Sequence, residues 1–423
     1  MRAHLVTALL GLTLAGACQT PEAPVPRWWK GNLHTHSFWS DGDDYPEMIV
    51  DWYKSAGYDF VALSEHNTLA EGERFIDVAE NGGQELLDVY KTRFPERVEE
   101  RHTDEGVHQV RLETLEEYRT LFEEPGSFLI VSAEEITDTF ETKDVHVNAT
   151  NIQDLIEPRG GQSVAEVMQN NIDAVLEQRE RTGRAMFPHI NHPNFGWSIK
   201  VEDLIALNGE KFFEVYNGHP QVHNEGDQLR PSTERMWDIL LAERLSDGQS
   251  IMYGLAVDDA HNYHDLDDQH SNPGRGWVMV RAPSLFAEAL VVAMEAGDFY
   301  GTSGVPLDSV VATDERLSVV VRPESGVRYR IRFIGTRAGY DRSKEEVELE
   351  DASVLYSYSD DIGETLAEIE GTSATYTFAG DELYVRAKII STKLKENPYR
   401  EGEHEAAWVQ PFVPVPPDDA PSP

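Results

Sequence analysis

Histidine and carboxylate side chains recur along the chain in short clusters: His34-Thr35-His36 with Asp41, Glu65-His66-Asn67, Glu134-Glu135, His146, His189 with His192, and Asp258-Asp259-Ala260-His261. Imidazole and carboxylate together suit zinc, iron or manganese. In a strand, alternate side chains point to opposite faces, so His34 and His36 can face one ion while Thr35 turns away. The same alternation admits only one of Glu134 and Glu135 to a shared site, and one of Asp258 and Asp259. A lone histidine at a strand end is most often a satisfied polar residue, and it is the recurrence that points to metal. His102, His108, His219, His223, His264 and His270 lack that pattern and read as surface or loop histidines.

These clusters are spread over more than 200 residues, from His34 to His261, so the fold must gather them. The C-terminal strand ends of a βα barrel converge on one mouth and do this. Candidate strands are Trp29 to Leu33, Phe60 to Ser64, Phe128 to Glu134, Val145 to Ala149, Ala185 to His189, Phe212 to Tyr216, Ile251 to Val257 and Trp277 to Val280. Between them, Tyr45 to Ala56 reads as a helix entered at Pro46 and stopped by Gly57, and Ser163 with Glu166 reads as a capping box. This alternation over residues 28–305 fits a (β/α) barrel better than a doubly wound sheet. Residues 71–124 break it with charged helical sequence, read as an insertion at one rim and a candidate lid. From Pro306 the pattern changes to strand alternation, as in Leu317 to Val321 and Leu383 to Ile390, which predicts a small β-sandwich over residues 306–413 and a loose tail over 414–423.

Lys and Arg number 36 against 76 Asp and Glu, a formal charge of −40, and such a field repels nucleic acid and anionic lipid surfaces. The acidity is consistent with a solubility device. Leu5 to Gly16 is an apolar run too short to span a bilayer, so residues 1–17 read as a signal peptide. Ala15-Gly16-Ala17-Cys18 resembles a bacterial lipobox with Ala15 in place of the usual Leu, and it also satisfies the A-x-A pattern of ordinary signal peptidase. The first alternative predicts lipidation at Cys18, residues 18–27 as a proline-rich tether, and an exported protein, periplasmic or anchored to the outer membrane, that meets the membrane only through this lipid. Cys18 is the single cysteine, so no intrachain disulfide forms.

Asn32-Leu33-His34-Thr35-His36 with Ser40-Asp41-Gly42, Ser64-Glu65-His66-Asn67, Ala133-Glu134-Glu135-Ile136, Val145-His146, Asn191-His192-Pro193 and Val257-Asp258-Asp259-Ala260-His261 together resemble the ordered motifs of the PHP (polymerase and histidinol phosphatase) metallohydrolases. Glu214-Val215-Tyr216-Asn217-Gly218 and Asp298-Phe299-Tyr300-Gly301-Thr302-Ser303-Gly304 resemble the branch named for CehA and McbA. The resemblance implies a distorted (β/α)7 barrel with two or three divalent ions (zinc, manganese or iron). By the motif match, His34, His36, Glu135 and Asp259 would hold one ion, Glu135, His146 and His192 a second, and Asp41, His66 and His261 the third. It selects Glu135 over Glu134, His192 over His189 and Asp259 over Asp258. Glu135 would bridge, and a water shared by two ions would be the nucleophile. The expected activity is phosphoester hydrolysis of a small anionic substrate, with carbamate, carboxyl-ester or amide hydrolysis as one alternative and a non-catalytic metal-dependent binding or scaffold lipoprotein as another. Glu135, His192, Asp259 and Arg275 are the expected catalytic residues, Arg275 as the cation for the substrate, and Tyr216, Asn217 and Tyr263 are candidate lining residues.

Overall fold

Aliphatic runs bounded by turn residues become the strands of a large mixed sheet. The computed structural model describes residues 25–349 and 354–414; Cys18, the expected signal peptide, most of the expected tether and the final residues from 415 lie outside the described residues. The first strand, β1 (Arg27–Asn32), leads through the His34-Thr35-His36 segment to α1 (Pro46–Ser55) and then to β2 (Phe60–Leu63). Pro46 takes the first turn of α1, where a missing N–H leaves no bond unmade.

The segment read as a helical insertion holds β3 (Arg74–Asp77), α2 (Gly83–Arg93), β4 (Glu100–His102), β5 (His108–Leu112) and α3 (Leu115–Phe122). Its strands form a separate sheet in the order β3-β5-β4, which corrects the all-helical expectation. The cause is a β4–β5 hairpin turning through Gly106, at φ 82°, with Val110 and Leu112 alternating into a core shared with Tyr45, Ile49 and Tyr53.

The chain continues through β6 (Leu129–Phe140), β7 (Lys143–Thr150), α4 (Val164–Thr182), β8 (Phe187–Ile190), α5 (Val201–Ile205), β9 (Phe212–Asn217), α6 (Thr233–Ser246), β10 (Tyr253–Val257), β11 (Trp277–Ala282), α7 (Ala287–Glu295) and β12 (Phe299–Thr302). Only half of the predicted capping box forms on α4: Ser163 Oγ accepts from Glu166 N at 3.1 Å, while the Glu166 carboxylate accepts from Gln162 N. The strands of a repeated βα unit should all run parallel. Here β1–β2, β2–β6, β8–β9 and β9–β10 do, but β7 runs antiparallel to both neighbours. The reason is local: β6 turns directly into β7 across Glu141-Thr142, with Glu141 at φ 57°, and no helix intervenes. After β10 and β1 the chains meet briefly, Asp259 N donating to His34 O at 3.0 Å and His36 N to Ala260 O at 2.9 Å. The hydrogen-bonded order itself has free ends, so these few bonds, rather than a full ladder, join the first and last of the seven strands.

The C-terminal part is sheet-rich: β13 (Leu307–Thr313), β14 (Arg316–Val321), β15 (Tyr329–Arg337), β16 (Lys344–Glu348), β17 (Val354–Tyr358), β18 (Glu364–Glu370), β19 (Ser373–Thr377), β20 (Glu382–Leu394) and β21 (His404–Phe412). The large sheet runs in the order β10-β9-β8-β7-β6-β2-β1-β11-β12-β21-β20-β15-β18, so it crosses residue 305 without a break. The three-stranded sheet β13-β14-β19 packs Leu317, Val319 and Val321 against Ile331, Phe333, Val385 and Ile389. A buried ion pair ties the two parts: Arg386 on β20 meets Asp238 on α6 through two bonds of 2.8 and 2.7 Å.

Candidate metal centre

All nine residues expected to bind metal converge. His34 and His36 follow β1, Asp41 lies on the next turn, His66 follows β2, Glu135 lies in β6, His192 follows β8, and Asp259 and His261 follow β10. His146 lies near the start of β7, and because that strand runs antiparallel its start faces the mouth that the other strands end at. Glu135 is at the middle: Oε2 is 3.1 Å from His34 Nε2, 3.2 Å from His36 Nε2 and 3.3 Å from His66 Nδ1, and Oε1 is 2.8 Å from His146 Nδ1 and 3.6 Å from His192 Nε2. Asp259 Oδ1 is 3.1 Å from His34 Nε2 and 3.4 Å from His36 Nε2. Asp41 Oδ1 is 3.4 Å from His261 Nε2, and Oδ2 is 3.5 Å from His66 Nε2. Asn67 (φ 47°) and Asp259 (φ 51°) hold the left-handed conformation that few non-glycine residues adopt, which marks two tight turns beside ligand positions.

Burial by itself would raise the Glu135 carboxyl, but His66, His34 and His146 hold it well below the usual carboxylate range. Asp259 is likewise buried and held low, by His34, His36, His261 and His192. Burial would lower the His66 imidazole, yet Glu135 and Asp41 push it up to about 9. Two buried carboxylates are thus held in their charged form within a ring of imidazole nitrogens, a donor set of the kind that holds a cation. His36 Nε2 is buried without a hydrogen-bond partner while facing Glu135 and Asp259, as a ligand nitrogen would. Donor atoms lie within 4.8 Å of one another in the groups His34/His36/Asp259, His34/Glu135/His192, His66/Glu135/His146 and His36/Asp41/His66/His261. The residues present fit divalent cations.

The unselected member of each pair has other work. Glu134 accepts from Ile156 N at 3.0 Å on the opposite face of β6. Asp258 accepts from the backbone N–H of Gly274, Arg275 and Gly276 at 2.9, 2.6 and 2.8 Å and from Tyr53 OH at 2.9 Å, which shapes the 274–276 turn. His189 is buried against Glu214 at 3.2 Å, a second carboxylate environment that it shares with His34.

Glu214 and Asn191 support the centre and were not assigned this role from the sequence. Glu214 Oε1 is 2.7 Å from His34 Nδ1, and Oε2 accepts from His192 N at 2.7 Å and from Asn217 Nδ2 at 2.8 Å. A carboxylate on one ring nitrogen of a histidine fixes the tautomer and turns the other nitrogen toward the ion. Asn191 Nδ2 donates to Glu135 Oε1 at 2.7 Å. The available signal for Glu214 was an acid inside the apolar run Phe212-Phe213-Glu214-Val215-Tyr216.

No protein-family model matches the chain, and no curated protein does. Among solved structures, a two-domain protein of Bacteroides vulgatus containing a predicted PHP-like metal-dependent phosphoesterase aligns over 95% of this chain and 100% of its own, at 12% identity and a TM-score of 0.39. A candidate metal-dependent phosphoesterase of Bifidobacterium adolescentis and an amidohydrolase of Chromobacterium violaceum with bound sulfate and no metal each align over 55% of this chain and 87% of their own, at 13% identity and TM-scores of 0.26 and 0.27. Likenesses this distant assign no role to any residue here.

Arg275 is a correction. Its guanidinium is buried, and its donors go to Asn397 O (3.0 Å), Gly218 O (2.9 Å), His270 O (2.6 Å), Asp267 O (2.6 Å) and Asn272 Oδ1 (3.1 Å). All five N–H groups are committed to holding loops together, which leaves none for a substrate anion. Tyr216 is buried, under Lys395 and stacked on Trp408, and Tyr263 is half-buried, its hydroxyl against Thr35 and His36 O. Asn217 does reach the centre, donating to Asp259 Oδ2 at 3.0 Å. His219, read from sequence as a loop histidine, stands beside the centre, its ring 5.7 Å from that of His261.

Proposed function

We propose that the chain is an exported metal-dependent hydrolase. The observation that carries this is the position of Glu135, whose two oxygens face separate sets of imidazoles within 3.6 Å. Such a carboxylate can bridge two ions. His34, His36, Glu135 and Asp259 would hold one, Glu135, His146 and His192 a second, and Asp41, His66 and His261 a third, zinc, manganese or iron fitting the donor set. Bound ions would activate a water near neutral pH and offset charge building on the attacked group. The chain's own residues prepare this: Glu214 and Asn191 orient the ligands, and Asn217 holds Asp259 from the far side. Phosphoester hydrolysis is the favoured reaction, from the motif resemblance. Carboxyl-ester, amide or carbamate hydrolysis is the second reading, favoured by the commitment of Arg275 elsewhere, since the one cation assigned to a phosphate is not free.

Metal-reconstituted protein should carry two or three ions per chain and turn over at least one member of a panel of phosphomonoesters, phosphodiesters and carboxyl esters. Glu135→Ala should lose more than one ion. Less than one ion per chain in the parent protein refutes the reading, and intact metal without turnover favours the binding-protein alternative. Among the described residues no helix is long and apolar enough to cross a membrane. For location we propose lipidation at Cys18; Cys18→Ser should then move the protein from the detergent to the aqueous phase, and a parent protein free of lipid returns the ordinary signal-peptidase alternative.

A further inference from the structure

With Arg275 buried, the mouth needs another group to meet the substrate. His219 sits on a pinned loop beside the centre. Its backbone N donates to Asn217 Oδ1 at 2.8 Å, and the preceding Gly218 is held on both sides, N to Val257 O at 3.0 Å and O to Arg275 Nη1 at 2.9 Å. The ring is wedged edge-on between His261 at 5.7 Å and Phe195 at 5.8 Å, and Phe195 lies 5.1 Å from His192. So His219 adjoins ligand positions from two different strand ends while remaining part-exposed.

Its tautomer follows from one bond. Nδ1 accepts the backbone N–H of Gln221 at 3.2 Å, so Nδ1 carries no hydrogen and Nε2 must carry it. Nε2 makes no hydrogen bond to any described residue, which leaves a fixed, neutral donor without a partner at the rim of a cluster of acceptors. We propose that His219 is the substrate-facing hydrogen-bond donor of this mouth, presenting Nε2–H to an oxygen of the ester group being cleaved. This rests on the hydrolase reading above and adds a residue outside the metal-binding set. A neutral donor serves a phosphoryl or a carbonyl oxygen, so the residue recognises the oxygen rather than a net charge.

The test compares the full metal-reconstituted chain with His219→Phe, which keeps an aromatic ring beside Phe195 and removes the donor, and His219→Gln, which restores an N–H. Three quantities are read: ions per chain, the Kd for inorganic phosphate by calorimetry, and kcat/KM on an ester found by the panel. In His219→Phe the metal content should stay at the parent value, phosphate Kd should rise about tenfold, and kcat/KM should fall about 100-fold, with His219→Gln recovering part of both. Equal phosphate affinity of parent and His219→Phe, including no binding by either, overturns the inference, as does metal loss in His219→Phe. Turnover of no ester by the parent, with the phosphate difference intact, sinks the hydrolase reading and leaves the donor in place.

Discussion

At the residue scale, adjacent acids divide their labour by strand alternation, and the two aspartates after β10 show how differently neighbours can behave. Asp259 faces the imidazoles and Asp258 faces the turn it organises. Asp259→Ala should therefore lose metal while the metal-free fold keeps its stability. Asp258→Ala orphans two buried backbone donors, those of Arg275 and Gly276, together with the part-buried one of Gly274, and should cost about 3 kcal/mol in denaturant unfolding, with metal affected only through the loosened turn. Equal metal loss and equal stability in the two variants would show that the division is wrong. Arg275 carries a related lesson, because a cation near a site in sequence acts on substrate only if its donors are free, and these donors hold loop carbonyls.

At the scale of elements, the insertion is packed onto helix α1 through a buried polar contact. Tyr90 on α2 donates to Glu47 Oε1 on α1 at 2.6 Å, and Glu113 after β5 lies beside the pair with its own Oε2 unpartnered. Burial pushes the Glu47 carboxyl up to about 8, Glu113 adds to the rise, and the Tyr90 bond opposes it. The folded state thus keeps this proton where the unfolded chain, near the ordinary value of 4.5, has released it. Between those values the folded state binds more protons, so the contribution to stability is full below the lower value and is lost as pH rises through the upper one. Glu47→Gln, which keeps an acceptor for Tyr90 and cannot ionise, should flatten the fall in Tm from about pH 5 to about pH 8. Parallel Tm curves for the two proteins would refute the assignment.

At the scale of the whole molecule, the C-terminal sheets are joined to the site-bearing part by backbone pairing of β12 with β21, by the Arg386–Asp238 pair and by Asn397, whose carbonyl receives Arg275 Nε. Arg386→Ala leaves a buried carboxylate unpaired and should destabilise the protein by about 3–5 kcal/mol. Because the sheet is continuous, unfolding should remain one transition that includes loss of metal. Two separated transitions in calorimetry of the parent protein would show that the parts fold independently.

Outside residues 71–124, the sequence alone located the strands that carry the site and the metal-binding candidates, because a strand's period and a histidine's chemistry are local properties. Val145 to Ala149 was legible as a strand, and His34, Glu135 and Asp259 as members of one donor set once the ordered motifs were compared with a known family. Direction and partnership were not local. That β7 runs backwards depends on a two-residue turn at Glu141-Thr142, and that Arg275 is structural depends on carbonyls up to 122 residues away in sequence. Glu214, Asn191 and His219 took their places only when strand ends distant in sequence were brought side by side, since a hydrogen bond needs its partner in space and the sequence shows only its neighbours along the chain.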